Sequence, residues 1–341
     1  MLLVVLVLAT AACTGVGGPV PGAPAHHRER GFANANPEFA RPPFWTRTKF
    51  FAARVWATTF SPRSIDLPRV ANDGAALRAN RTAPTVTWVG HATLLFQLEG
   101  VNVLTDPQWS ERASPLGFAG PKRVTPPGVA FDDLPPIHVV LISHDHFDHL
   151  DLPTVQRLAA VHRPRFYVPL GLKAWFAEAG ITDVVELDWW DSRTERGLTI
   201  TCAPVQHWST RSLGGENRRL WSGWALAGGG RRAFFAGDTG YYAPYFQEIG
   251  ARLGPFDVAA VSIGAYEPPA IMRFTHTTPE ESLQLFDDVR GRRFLAMHWG
   301  TFDLADEPLD EPPQRLLAAA RRRGLEPDRV WILKHGETRS W

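Results

Sequence analysis

Ser143-His144-Asp145-His146-Phe147-Asp148-His149-Leu150 follows directly on the apolar run His138-Val139-Val140-Leu141-Ile142. That run is short, rich in β-branched residues and preceded by Pro135-Pro136, so it reads as a buried strand. The histidines and aspartates therefore lie on a loop at the C-terminal end of a strand, the edge at which α/β folds build their sites. Imidazole nitrogens together with a hard carboxylate oxygen suit zinc and neighbouring divalent metals. On an extended loop His144 and His146 can converge on one ion, while Asp148 and His149 turn towards a second. A merely solvated turn would have no reason to select this spacing behind a buried strand.

Working outward, short β-rich segments are expected at residues 85–89, 93–98, 101–105, 165–169, 184–187, 198–205, 223–227, 232–236, 257–263, 294–297 and 329–334. Helices alternate with them. One runs from Pro153 to about residue 161 with Asp151 as its cap, and one is closed by Gly180. Another spans residues 282–289 behind the capping box Thr278-Pro279-Glu280-Glu281. Strands and helices at this density imply an α/β layer structure. His207, Asp238 and His298 each follow one of the expected strands, so a layered sheet can gather them on the edge that carries the His cluster. Seven ligands then fit two metals: His144, His146 and His207 on one, Asp148, His149 and His298 on the other, and Asp238 bridging. Two such ions would lie roughly 3.5–4 Å apart and share a water whose lowered pKa gives a bridging hydroxide at neutral pH. Asp106, behind a strand and before Pro107, can orient a ligand histidine or simply make a turn. His91 reads as a buried, hydrogen-bonded residue rather than a ligand.

The motif series resembles the metallo-β-lactamase superfamily, and the fold this implies is its αβ/βα four-layer sandwich with a binuclear centre. More narrowly, the chain is similar to the N-acyl-phosphatidylethanolamine-hydrolysing phospholipase D family. That likeness rests on Thr87-Trp-Val-Gly-His-Ala-Thr93, Leu104-Thr-Asp-Pro107, Arg112-Ala-Ser-Pro115 and Gly120-Pro-Lys-Arg123. It continues in Phe234-Phe-Ala-Gly-Asp-Thr-Gly-Tyr241, Ile263-Gly-Ala-Tyr-Glu-Pro268, Pro279-Glu-Glu281 and His298-Trp-Gly-Thr301. The resemblance implies two zinc ions, with iron or manganese as alternatives, and a phospholipid diester substrate. It also implies that His276 contacts the phosphate or leaving group, and Asp148 is a candidate to serve the leaving group. Asp145 and Phe147 stand where the family often has Asn and Tyr, positions that hold no metal.

The chain has 341 residues with 44% hydrophobic and 21% charged content, enough for one large α/β domain over residues 41–341. A net charge of +1 gives no basic excess for a nucleic-acid partner. Residues 1–13 end in Thr10-Ala11-Ala12-Cys13 and read as a lipoprotein-type signal with Cys13 lipidated, which places the protein in the bacterial cell envelope, lipid-anchored or periplasmic. The stretch lacks a basic n-region, as a truncated start would. Residues 14–40, rich in Gly, Pro and Ala, read as a flexible linker. Residues 44–60 interleave Phe44, Trp45, Phe51, Trp56 and Phe60 with Arg47, Lys49 and Arg54, a pattern for a helix on a membrane surface or one packed on the core. Cys202 reads as a small buried residue. Two other functions stay open on the same pattern: a lactonase or other carboxyl-ester hydrolase, and a catalytically silent metal-binding envelope lipoprotein.

Overall fold

The computed structural model describes residues 16–212 and 214–341. Cys13 and the signal expected over residues 1–13 lie outside them.

A two-residue hairpin opens the fold, β1 (His27–Arg28) against β2 (Gly31–Phe32). The first half then lays down β3 (Thr85–Gly90), β4 (Thr93–Leu98), β5 (Val101–Thr105), β6 (Val139–Leu141), β7 (Arg165–Pro169) and β8 (Val184–Leu187). The second half supplies β9 (Ser192–Glu195), β10 (Leu198–Ala203), β11 (Gly223–Gly228), β12 (Arg231–Phe235), β13 (Phe256–Ser262) and β14 (Gly291–Met297). The short β15 (Val330–Trp331) and β16 (Thr338–Ser340) end the chain. Two seven-stranded sheets result, ordered β16-β3-β4-β5-β6-β7-β8 and β15-β14-β13-β12-β11-β10-β9.

Side-chain alternation along each strand feeds two interiors at once. Val139 and Leu141 point into the core shared by both sheets, while Val140 and Ile142 join the layer beneath helices Leu152–Val161 and Lys173–Glu178. On the other sheet, helix Pro279–Asp288 packs over β13 and β14. The order helix, sheet, sheet, helix is the four-layer sandwich expected from the motifs. Strands β5 to β8 are parallel, as are β12 to β15. Their C-terminal ends therefore share an edge within each sheet, and the polar loops leave from there.

Two local expectations meet different outcomes. Thr278 and Glu281 form the reciprocal capping box. Asp151 makes no capping bond; its carboxylate instead accepts from the Ser110 N–H at 3.1 Å and hydroxyl at 2.8 Å.

Residues 16–40 run as a strap packed on the domain, where composition suggested a free linker. His26 and His27 each bond an oxygen of Asp188 at 2.7 Å, and Phe32 enters the main core. The contacts are to residues far along the chain, so the local Gly/Pro/Ala content carries no trace of them. Helix Phe44–Phe60 lies on the surface with only Thr58 buried. Trp45 is 74% exposed, Trp56 59% and Phe60 65%. Among the described residues no helix is long and apolar enough to cross a membrane.

Candidate metal centre

Each polar residue of the expected series leaves the end of a strand. The loop behind β6 carries His144, His146, Asp148 and His149; β10 leads to His207, β12 to Asp238 and β14 to His298. β3 and β5 add His91 and Asp106 on the same rule. His91, Asp106 and His298 all take left-handed backbone, with φ of 53°, 34° and 61°, so the chain turns sharply as each strand ends. Such conformations are costly for residues other than glycine, and they concentrate at sites where surrounding structure enforces them.

Two groups of donors form. His144 Nε2 lies 2.9 Å from His146 Nδ1, and His207 Nε2 lies 3.3 Å from that same atom. In the second group His149 Nε2 is 3.2 Å from His298 Nε2 and 3.2 Å from Asp148 Oδ2. Asp238 Oδ2 is 3.1 Å from both His149 Nε2 and His298 Nε2 and 4.0 Å from His207 Nε2, between the groups. All seven residues named from the sequence thus meet in one place.

The tautomers decide what the cluster can hold. The Thr275 carbonyl accepts from His207 Nδ1 at 2.9 Å, and the Asp106 carboxylate accepts from His149 Nδ1 at 2.7 Å. Ser143 donates its own hydroxyl to Asp106 at 2.6 Å, so its oxygen accepts from His144 Nδ1 at 2.8 Å. With Nδ1 donating in all three rings, Nε2 is the atom each turns inward, a lone pair whenever the ring is neutral. Lone pairs and carboxylate oxygens then face one another within about 3 Å, in a site shielded from water. Such a donor set calls for positive charge at its centre, which divalent cations would supply. The residues fit a binuclear centre.

The electrostatics agree. Burial holds His144 and His207 well below the ordinary histidine value. Burial also opposes charge on His298, but Asp238 and the bonds to Asp148 and Asp238 overcome it and raise this ring to about 9. His149 is raised well above its ordinary value by Asp238 and Asp148, again against burial. Burial would lift Asp148 and Asp238, yet the facing histidines hold both well below the carboxylate range.

His91 is the residue whose part the sequence understated. It is buried and hydrogen-bonded as expected, but its partner is Asp148 Oδ2 at 2.8 Å, and its ring lies tilted against His298 with centroids 4.0 Å apart. It stands close enough to Asp148, His149 and His298 to belong to their donor group. Its place behind β3 was the available signal. Asp106 takes the orienting role rather than that of a turn residue. His276 sits with Nδ1 3.9 Å from Asp238 Oδ2 and no hydrogen-bond partner there; burial lowers its pKa to about 4. Asp145 pairs with Arg219 at 3.0 Å and so fastens the loop without entering the cluster. Asp303 and Glu267 stay outside the cavity lining.

A cavity of about 320 Å³ opens on the cluster. His146, Asp148, Asp238 and His276 form its polar end; Phe39, Phe51, Phe147, Trp208, Met272 and Leu304 line its walls.

Comparison with known proteins adds the lineage. Residues 101–299 match the beta-lactamase superfamily domain. The chain belongs to the beta-lactamase superfamily. Within it, the chain is 46% identical over 228 residues to N-acyl-phosphatidylethanolamine-hydrolyzing phospholipase D 1 of Caenorhabditis elegans, covering 64% of either chain. A metal-dependent hydrolase of Pyrobaculum neutrophilum is 29% identical over 74% of this chain and 97% of its own. Among solved structures, the isothiocyanate hydrolase from Delia radicum gut bacteria superposes with a TM-score of 0.60 at 22% identity, over 75% of this chain and 99% of its own. That likeness carries the fold. The chain is a metal-dependent hydrolase of this superfamily, and the donor set described above suits that chemistry.

Proposed function

We propose that the protein is a binuclear zinc phosphodiesterase of the phospholipase D type, working at the cell envelope. Its substrate in this reading is N-acyl-phosphatidylethanolamine, cleaved by water to phosphatidic acid and an N-acylethanolamine. The observation that carries it is the junction of a cationic-metal donor set with an apolar cavity. A diester between two acyl-bearing parts presents that combination of one charged centre and long apolar arms. The nematode relative's name supports the same substrate class.

In this reading His144, His146 and His207 hold one ion, Asp148, His149 and His298 the other, with Asp238 between them. Bound there, the ions supply Lewis acidity towards phosphoryl oxygens and lower the pKa of water. The chain does the rest. Asp106, Ser143 and the Thr275 carbonyl fix the ring tautomers. His91 holds the Asp148 carboxylate, which lines the cavity and is placed to pass a proton from water on to the leaving oxygen. His276 stands across from it with a free ring nitrogen for a phosphoryl or leaving-group oxygen. The apolar walls exclude water from the acyl chains.

Purified protein incubated with N-acyl-phosphatidylethanolamine vesicles, and separately with an acyl lactone, is the direct test, with products identified by mass spectrometry. Phosphatidic acid plus N-acylethanolamine, lost on chelation, is expected. Lactone opening alone would refute the phosphodiesterase reading.

The exposed aromatics of helix Phe44–Phe60 are the membrane-facing element of this proposal. Phe51, Arg54 and Val55 of that helix also line the cavity, so a bilayer under the helix lies next to the site's mouth. Tryptophan favours the interface between lipid and water. Combining Trp45→Ser with Trp56→Ser should weaken vesicle binding by about tenfold or more, each tenfold being about 1.4 kcal/mol. Hydrolysis of a water-soluble diester should be unchanged. Unaltered cosedimentation with vesicles would rule out the helix as the contact.

A further inference from the structure

We propose that Asn34, on the N-terminal strap, is a positioning residue for His207. Its side chain grips the backbone of that residue at both polar groups. Asn34 Oδ1 accepts from the His207 N–H at 3.1 Å, and Asn34 Nδ2 donates to the His207 carbonyl at 2.8 Å. His207 is fully buried, and among the described residues no other group bonds its backbone N–H or carbonyl. The amide thus acts as a one-residue edge strand, and it lies outside the segment that matches the superfamily domain.

The grip is itself held from both sides. Asn36 donates to Gln206 Oε1 at 2.7 Å, and Gln206 Nε2 donates to the Phe274 carbonyl at 3.1 Å. The Ala35 N–H donates to the Tyr245 hydroxyl at 2.8 Å. These bonds tie the strap to residues beside His207 and to the loop whose Thr275 carbonyl fixes the His207 ring. The backbone of His207 is set by Asn34 and its imidazole by Thr275, so the direction of Nε2 depends on both. The strap also supplies Phe39 to the cavity wall, as does Arg41 just after it, whose guanidinium lies 4.2 Å over the Trp208 ring.

Only a carboxamide satisfies both groups, because one end must accept and the other must donate. Asn34→Asp keeps the shape but turns a carboxylate oxygen on the His207 carbonyl. Added negative charge near the centre would by itself tighten cation binding, whereas loss of the grip loosens it, so the direction of change separates the two effects.

The inference rests on His207 being a ligand, and unmodified protein checks that reading separately. Apo-protein would be titrated with Zn2+ against a chromophoric chelator, and with Co2+ for its visible absorption. Wild type should take up two equivalents; fewer than two would count against the metal reading itself. Asn34→Asp should weaken one equivalent by about 10- to 100-fold, the usual range for partners behind a ligand. It should also alter the Co2+ band of that equivalent, and leave the other unchanged. His27→Gln, which loosens the far end of the strap, should bind both equivalents as wild type does. Unchanged binding in Asn34→Asp overturns the proposal. So does equal weakening of both equivalents in step with the melting temperature, since that marks a purely structural bond. If Asn34→Asp does not fold, Asn34→Ser leaves room for a bridging water, and the same one-equivalent split is expected of it.

Discussion

Asp106→Asn is expected to leave the protein folded and to empty the His149 and His298 half of the proposed metal centre. Asp106 is fully buried and accepts three hydrogen bonds, from the Ser143 N–H at 2.7 Å, the Ser143 hydroxyl at 2.6 Å and His149 Nδ1 at 2.7 Å. Burial raises its carboxyl above the usual value even against these donors, so the protein spends stability to keep a carboxylate there. An asparagine can keep its oxygen on the Ser143 N–H, but its NH2 then meets His149 Nδ1. That pairing needs the opposite tautomer, with the proton on Nε2 and the lone pair turned away from Asp148 and Asp238. Flipping the amide only moves the conflict to the Ser143 N–H. Metal affinity at the His149 and His298 group, and turnover with it, should fall by at least about 100-fold. Asp106→Ala should do more, leaving three buried donors unpaired. Removing one partner of a buried pair costs about 3–5 kcal/mol, a fall of roughly 10 °C in melting temperature for a domain of this size. Metal stoichiometry and thermal melting on the two variants check this. An Asn variant that binds two ions normally would show that the tautomer of His149 does not matter.

What the sequence disclosed about this centre was what strand ends disclose. His144, His207, Asp238 and His298 stand behind apolar runs, and a layered sheet has one edge on which to collect them. The capping box at Thr278 was legible because both partners lie within one helical turn. Asn34 was not, because its partner is 173 positions away and the strap's Gly/Pro/Ala composition resembles a linker. The edge strands Ser192–Glu195 and Thr338–Ser340 are largely or wholly exposed and carry no apolar alternation to announce them. Nor can a sequence show that His91, Asp106 and His298 take left-handed backbone, since each turns because of what it must reach. Helix Phe44–Phe60 was open between membrane and core. Its aromatic pattern suits both, and the side it presents is decided by charges elsewhere in the chain.

Those charges give the other large expected effect. Asp303, 3% exposed, receives Arg54 and Arg63 together, with Arg63 Nε at 2.9 Å from Oδ2 and a guanidinium nitrogen of each on Oδ1. Arg54 projects from helix Phe44–Phe60 and Arg63 from the chain just after it, so one buried carboxylate clamps the C-terminal half of the helix to the loop at 303–307. Arg63 Nη1 adds a bond to the Glu307 carbonyl at 2.7 Å, and Arg54 Nη2 one to the Asp303 carbonyl at 3.2 Å. Since only Thr58 of the helix is buried, apolar packing cannot hold it alone. Asp303→Ala would strip both guanidinia of their buried carboxylate and leave Arg54 only Asp306 Oδ1 at 3.4 Å, at a cost of about 3–5 kcal/mol. The helix should loosen before the sheets do, and trypsin should then cut at Arg47, Lys49 or Arg54 under conditions where wild type resists. Turnover of long-chain substrate should fall alongside, because Phe51 and Val55 leave the cavity wall with the helix. Moderate salt should not reproduce the effect, since screening acts weakly on buried pairs. Trypsin resistance equal to wild type would mean that the helix is held by its own apolar contacts, and the clamp at Asp303 would then be incidental to how the cavity mouth is built.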